Sequence, residues 1–512
     1  MKKFTIVCLA LFIFSFSAKA QTGYDIKLNL KGCQDTSMYL VRYFFSSNLI
    51  ADSCKKVKNG KIQFKGKEDL EKGVYAIVGE NKSSFYFQIF VNEDKKFTIS
   101  SDFADMVNTL KAEGSKENEL AFTYMKYMTN KSREFGKIIE ESKGRKDSVA
   151  FLTEKQKTFG EETKKFEDDF ALKNKGSFIL DFLNLNKEKY PTEIPKAKNG
   201  RPDSTYQYFY YKAHYFDGMN LKDDRIIRTP FFADRVKKYF ETIIVQHPDT
   251  LIVEMDKFFD KCTPGSDIYN SMIGYLTYKF ENNKTMTFDN KGNTVTFEKA
   301  FVHICDKYII SGKAPGVYTE ETVKKIKERV DITRNLLTGA KVPDIQMFDS
   351  IGGKAIRKMG FDTAKTTVSI SDLYNKNIDR IAPLYKSLYS VNAKYTILVF
   401  WAEDCGHCQT EMPKLQENLA AIKGKVDFKV FAVQTKAELF EKWCKFIVDK
   451  KLDFVNVYEG IPFNNLREKF DIYATPVIYI LDKDKRIKAK KLSAEQVVEI
   501  IKIMEEVEKK KS

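Results

Sequence analysis

From Tyr24 to about Phe103 apolar and polar residues alternate in short runs: "YDIKLNL", "SMYLVRYF", "GKIQFKG", "GVYAIV", "FYFQIFV" and "KFTIS". A period of two sends one face of each run into a core and the other into water, which is the pattern of a β-strand. The turn residues "KNG", "EKG" and "NED" separate the runs, so residues 21–105 predict a small all-β sandwich. After Asp105 the apolar spacing lengthens to three and four, in "ENELAFTYMKYMTNKSREFGKIIEESKG", "LTEKQKTFGEETKKFEDDFAL", "FADRVKKYFETII" and "TEETVKKIKERVDITRNLL". These are amphipathic helices, and they define a mainly α-helical domain over 106–335. From residue 336 to 512 strands alternate with helices. "YTILVFW" and "VDFKVFAVQ" are apolar without alternation, each followed by a helical run, and "TPVIYIL", the turn "DKDK" and "RIKAKKL" precede a last helix. Ser493 and Gln496 open that helix as a capping box. Strands apolar on both faces predict an α/β fold, a central sheet flanked by helices.

The first twenty residues stand outside this pattern. Lys2 and Lys3, an apolar run from Phe4 to Phe16 and the small-residue site Ala18-Lys19-Ala20 read as a secretory signal peptide cleaved before Gln21. Cys8 lies within the apolar run, not at its end, and is not read as a lipid-anchored cysteine. No later stretch approaches the ~18 apolar residues that span a bilayer, so the mature chain is expected to have no transmembrane segment and to be soluble or peripherally attached in the periplasm or envelope.

The formal charge of +16 falls to +13 without the signal peptide. The lysines are interspersed with acids, as in "KKFEDDFALKNK", and form no basic block, which argues against nucleic acid as a partner. The aromatic run "YQYFYYKAHYFDGMNLKDDRIIRTPFFADRVKKYF" is dense enough for a ligand groove, but such spacing is more common in cores. His214, His247 and His303 stand singly, without metal-ligand spacing, and no metal is expected.

Seven cysteines remain in the mature chain: Cys33, Cys54, Cys262, Cys305, Cys405, Cys408 and Cys444. Their odd number and sparse spacing exclude a disulfide scaffold, and a Cys33–Cys54 bridge and two unpaired core thiols remain open alternatives. The exception is "FWAEDCGHCQTEMPKL", where Cys405 and Cys408 are two residues apart at the exit of an apolar strand. A zinc site would need a second ligand pair, a c-type haem site would need His after Cys408 where Gln409 stands, and a staple closing so short a loop removes little chain entropy. A redox couple fits. At a strand-to-helix junction Cys405 meets free backbone N–H groups and the positive end of the helix dipole, which lower its pKa, and Cys408, one turn on, can resolve a mixed disulfide. Protonated His407 would favour the thiolate and make the couple more oxidising.

With Trp401 four residues before Cys405, Pro413 five after Cys408, Thr475-Pro476 ahead of a strand and "GAKVPD" at the domain entry, residues 339–512 resemble the thioredoxin superfamily, and within it secreted oxidoreductases of the TlpA/ResA type. The segments "YYKAHYFDGMNLKDDRIIRTPFF" and "FVHICDKYI" resemble a helical module of unknown role found ahead of such domains. The resemblance implies that Pro476 is cis and faces the cysteine pair, that Thr475 backbone groups bind a substrate chain, and that Gly406, His407 and Trp401 tune the pair. It also implies a buried acid six residues before the first cysteine, where this chain has Val399. Glu403 and Asp404 are nearer, and are expected as solvated residues on the rim in preference to the alternative of a general base. The stretch from Lys358 to Lys394 is longer than a bare domain needs and is either a groove-shaping insertion or a helical link.

The expected function is a periplasmic thiol-disulfide oxidoreductase, reductant or isomerase, with no cofactor beyond the Cys405–Cys408 disulfide. Its expected partners are exported proteins with thiols or disulfides and a membrane-embedded electron donor or acceptor. The alternative is an envelope binding or assembly protein whose C-terminal domain is a scaffold or redox switch.

Overall fold

The computed structural model describes residues 23–510 except 83, 284 and 290–292. The expected signal peptide, residues 1–20, lies outside the described residues. The chain divides into two compact units, Met1–Ile243 and Ile244–Ser512.

In the first unit β1 (Tyr24–Lys31), β2 (Met38–Phe44), β3 (Ser47–Cys54), β4 (Lys61–Gly66), β5 (Gly73–Val78), β6 (Phe85–Val91), β7 (Lys96–Asp102) and β8 (Lys111–Glu113) form two sheets, ordered β4-β1-β7-β8 and β3-β2-β5-β6. The alternation sends Ile26, Leu28, Phe64 and Ile99 of one sheet and Leu40, Ile77 and Ile89 of the other into a shared core. β3 has no counterpart among the predicted strands. It is an edge strand whose Leu49 and Ile50 are exposed, so its sequence carries no buried face to read. Cys33 and Cys54 are separate thiols.

Helices Lys116–Ser142 and Ser148–Lys173 follow, with the Tyr127 and Phe166 rings stacked at 3.6 Å between them. Asn118 fixes the first helix to the sheet: its buried amide accepts the Phe90 N–H at 2.9 Å and donates to the Phe90 carbonyl at 2.8 Å. Much of the aromatic run after Tyr206 is core, with Tyr215, Phe216, Phe232, Tyr239 and Phe240 buried.

The second unit begins with helices Pro248–Phe259, Asp267–Asn282, Glu298–Ile304 and Glu320–Asn335, and the small hairpin β9 (Thr287–Phe288) and β10 (Thr294–Val295). His247 caps the first of these helices, and His303 pairs with Asp256 at 3.0 Å, so both histidines have structural partners.

There follow β11 (Gln346–Phe348), β12 (Tyr385–Ser387), β13 (Tyr395–Trp401), β14 (Phe428–Gln434), β15 (Val455–Tyr458), β16 (Val477–Leu481) and β17 (Ile487–Lys490). They make one sheet in the order β12-β11-β15-β14-β13-β16-β17. β13 runs parallel to β14 and antiparallel to β16, and all seven of its residues are buried. Ile397, Val399 and Trp401 enter one core with residues of the helices Gly406–Ala420 and Ala494–Lys509, while Leu398 and Phe400 enter a second. Ile332 of the helix Glu320–Asn335 and Leu336 just after it also pack into that second core. The long stretch before β13 holds the helix Thr367–Ile381, opened by a Thr366/Ser369 capping box, and the edge strand β12. Among the described residues no helix is long and apolar enough to cross a membrane.

Candidate active site

The sheet register brings the cysteine pair and the proline loop to one edge. Phe400 of β13 pairs with Val477 of β16 in antiparallel sense, so the chain leaving Trp401 and the chain arriving through Thr475-Pro476 meet at the same end of the sheet. The Thr475–Pro476 peptide bond is cis. Cys405 is the N-cap of the helix Gly406–Ala420, and its sulfur makes no capping bond to that helix. Its thiol instead donates to the Thr475 carbonyl at 3.3 Å.

The two thiols have different surroundings. Partial burial pushes the Cys405 pKa up, but the Cys408 N–H, the Cys408 thiol, the Thr475 side chain and the His407 N–H outweigh it, and the net shift is down. Cys408, one helical turn inward, is fully buried. Burial pushes its thiol up to about 12, only partly offset by the Thr475 side chain and the Ala402 N–H. The partly exposed thiol therefore ionises more readily than its buried neighbour.

The other residues singled out in the sequence fall around this pair. His407 is exposed and meets Cys405 through its backbone N–H. Gly406 is exposed, and a Cβ there would touch nothing within 4 Å. Trp401 is fully buried in the same core as Cys408, its ring 5.3 Å from that of Phe446, and its carbonyl accepts the Thr435 N–H at 2.9 Å. Asp404 is on the rim, paired with Lys436 at 2.6 Å.

Glu403 is not the solvated rim residue expected. It is 4% exposed, and its Oε2 accepts from Gln434 Nε2 at 3.1 Å. The strand neighbour of Trp401 is Gln434, and that register draws the side chain inward. Cys444 is partly buried, with its thiol pushed up by burial, as an inert residue beside the buried Trp443 would be.

Tyr473 and Ala474 line two cavities. One, about 550 Å³, is bordered by Thr435, Lys436, Glu459, Arg467 and Thr475. The other, about 480 Å³, is bordered by Arg329, Asp471, Pro476, Val477 and Lys491. Burial pushes the Glu459 carboxyl up, partly offset by hydrogen bonds from Asn464. None of Arg329, Glu459, Arg467 or Lys491 carries a local motif. They converge from segments up to 162 positions apart, and only the fold assembles them.

Comparison with known proteins places these regions. Residues 384–490 match the AhpC/TSA family model, residues 24–121 a domain of unknown function (DUF4369), and residues 151–335 a second domain of unknown function (DUF5106). Among solved structures, a domain of a possible thiol-disulfide isomerase from Cytophaga hutchinsonii is 34% identical, over 34% of this chain and 97% of that one, with a TM-score of 0.27. A thioredoxin-like protein from Bacteroides caccae is 15% identical, over 62% and 99% of the two chains, with a TM-score of 0.35. The thioredoxin domain of a thiol-disulfide oxidoreductase from Bacteroides vulgatus is 23% identical, over 33% and 96%, with a TM-score of 0.24. No curated protein matches the chain.

Proposed function

Because the chain belongs, through residues 384–490, to the thioredoxin-like AhpC/TSA family, we propose that it exchanges disulfides with exported client proteins through Cys405 and Cys408. The observation that carries this reading is the contrast between the two sulfurs: a partly exposed one at a helix N-cap with a lowered pKa, and a buried one a turn later with a raised pKa.

The Cys405 thiolate attacks one sulfur of a client disulfide. A bond forms between Cys405 and the client, the other client sulfur leaves with the electron pair, and it takes a proton. Cys408 then loses its proton and attacks Cys405 Sγ. The mixed disulfide breaks, the second client thiol leaves, and the Cys405–Cys408 disulfide holds the two electrons' worth of oxidation. Burial keeps Cys408 protonated and unreactive until the mixed disulfide sits beside it. The Thr475 carbonyl, within reach of Cys405, is placed to take a backbone N–H of the client. Run backwards, the same steps oxidise a dithiol.

The amino-terminal pattern supports a periplasmic or envelope site, and continued reduction of clients there needs a membrane-embedded electron donor. The direction of flow is read from the potential of the pair against glutathione. A value near ~ −270 mV marks a reductant and one near ~ −180 mV an isomerase. A pair that cannot be cycled by glutathione or dithiothreitol refutes the reading. Full function of the Cys405→Ser, Cys408→Ser double variant in cells would leave a scaffold or assembly role in its place.

A further inference from the structure

The helical segment ahead of the sheet reaches the rim of the cysteine site. Arg329 lies on the helix Glu320–Asn335, far in sequence from the pair, yet it borders the same cavity as Pro476 and Val477. It is held there by an ion pair with Asp471, which also binds Lys491 at 3.0 Å. The Asp471 side chain is only 8% exposed, whereas Arg329 and Lys491 keep 34% and 45% of theirs. Asp471 borders the cavity too, but it is largely covered and spent on both cations, so a chain entering there meets chiefly Arg329 and Lys491. Glu281 and Glu298 make longer contacts to the same cations, at 3.9 and 3.6 Å, and Glu298 is also engaged by Lys490.

Across the Tyr473–Thr475 segment the second cavity carries Lys436 and Arg467. Lys436 is committed to Asp404, but Arg467 is exposed, with its guanidinium 5.9 Å from the centre of the Tyr473 ring, and no carboxylate pairs with it among the described residues. The acid of this cavity is Glu459, whose burial favours its neutral form.

We propose that these two cavities form one client groove that selects an extended, acidic segment beside the reacting cysteine, and that the helical module supplies its wall through Arg329. The proposal rests on the disulfide-exchange reading above and adds the class of client. Arg329, Lys491 and Arg467 flank the loop against which the client strand lies, so Asp or Glu next to the client cysteine meets a cation on either side. Basic segments meet the same cations as repulsion, and discrimination arises mainly in the encounter rate.

The test uses the full-length reduced protein and two peptide disulfides that differ only at the positions flanking cysteine, Asp in one and Lys in the other. A third substrate, the small neutral reagent dithiodipyridine, reads the pair without a peptide when its reaction is followed at Cys405 by peptide mass spectrometry, apart from Cys33, Cys54 and Cys444. At low salt the acidic peptide is expected to react on the order of tenfold faster than the basic one, and the ratio should approach unity at ~1 M salt. Arg329→Glu should remove most of the preference, and Arg329→Lys should keep it. If Arg329→Glu does not fold, Lys491→Glu and Arg467→Glu test the same ratio. Equal rates for the two peptides in the wild type, or a preference untouched by all three reversals, overturn the groove while exchange itself stands. No reaction with any of the three substrates overturns the exchange reading and the groove together.

Discussion

In the reduced protein the two thiols of the pair should titrate far apart. The Cys408 thiol is pushed from an ordinary 9.0 to about 12, chiefly by burial. Three pH units correspond to about 4 kcal/mol between its two protonation states, and to ~10⁻⁵ of the thiolate at pH 7 in place of ~10⁻². Cys405 shifts the other way, below the ordinary value. Pulsed alkylation with iodoacetamide from pH 5 to 10, followed by peptide mass spectrometry, reads both sites. Cys405 should be modified first, at least about a hundredfold faster than Cys408 at pH 7. In a Cys405→Ser variant the nearby thiol that raises the Cys408 pKa is gone, but the larger cause, burial, stays, so Cys408 should remain slow. Modification of Cys408 within about tenfold of Cys405, or a Cys408 half-point below pH 9, would refute the assignment of a partly exposed nucleophile and a buried resolving thiol.

Other consequences are open to measurement. Folded Cys408 holds a proton that the unfolded chain releases above pH ~9, so the reduced form should lose stability at up to about 1.4 kcal/mol per pH unit between pH ~9 and ~12. The oxidised form lacks both thiols of the pair, and because the Cys405 pKa is lowered, the difference in pH slope between the two forms above pH ~9 reads Cys408. Lys490 is buried and pairs with Glu298 across the helix–sheet contact, with its pKa lowered by burial. Glu298→Ala should therefore cost roughly 3–5 kcal/mol in urea unfolding, and adding Lys490→Met should recover much of it. A Cβ at Gly353 would lie 2.5 Å from the Phe440 and Tyr458 rings, so Gly353→Ala should destabilise by about 1–3 kcal/mol, and an unchanged midpoint would contradict that packing. Asn118→Ala would strand the buried Phe90 N–H and C=O, with an expected loss of about 2 kcal/mol and faster amide exchange at Phe90.

The sequence was informative where a periodic pattern had to be buried. β1, β4 and β7 alternate because one face packs, and β13 is apolar throughout because both do. The helix N-cap at Cys405 and the proline loop were legible from spacing and from family resemblance. β3 was not, because an exposed edge strand needs no apolar face. β11 and β15, three and four residues long, owe their place to pairing with neighbours more than to any local run. A carboxylate in a short polar stretch, such as Glu403, reads as surface, and only the register with Gln434 draws it in. Arg329 and Lys491 carry no signal until the helix Glu320–Asn335 lies against the sheet, with Ile332 and Leu336 in its second core.

The most direct test of the central claim is capture of a disulfide-bonded peptide by single-cysteine variants of the pair, read by non-reducing electrophoresis and mass spectrometry. Cys408→Ser should accumulate a stable mixed disulfide through Cys405, and Cys405→Ser should accumulate none through Cys408, because that remaining thiol of the pair is buried and protonated; mass spectrometry separates both from adducts on Cys33, Cys54 or Cys444. A mixed disulfide through Cys408 in the Cys405→Ser protein, or no adduct in either variant, would contradict the account.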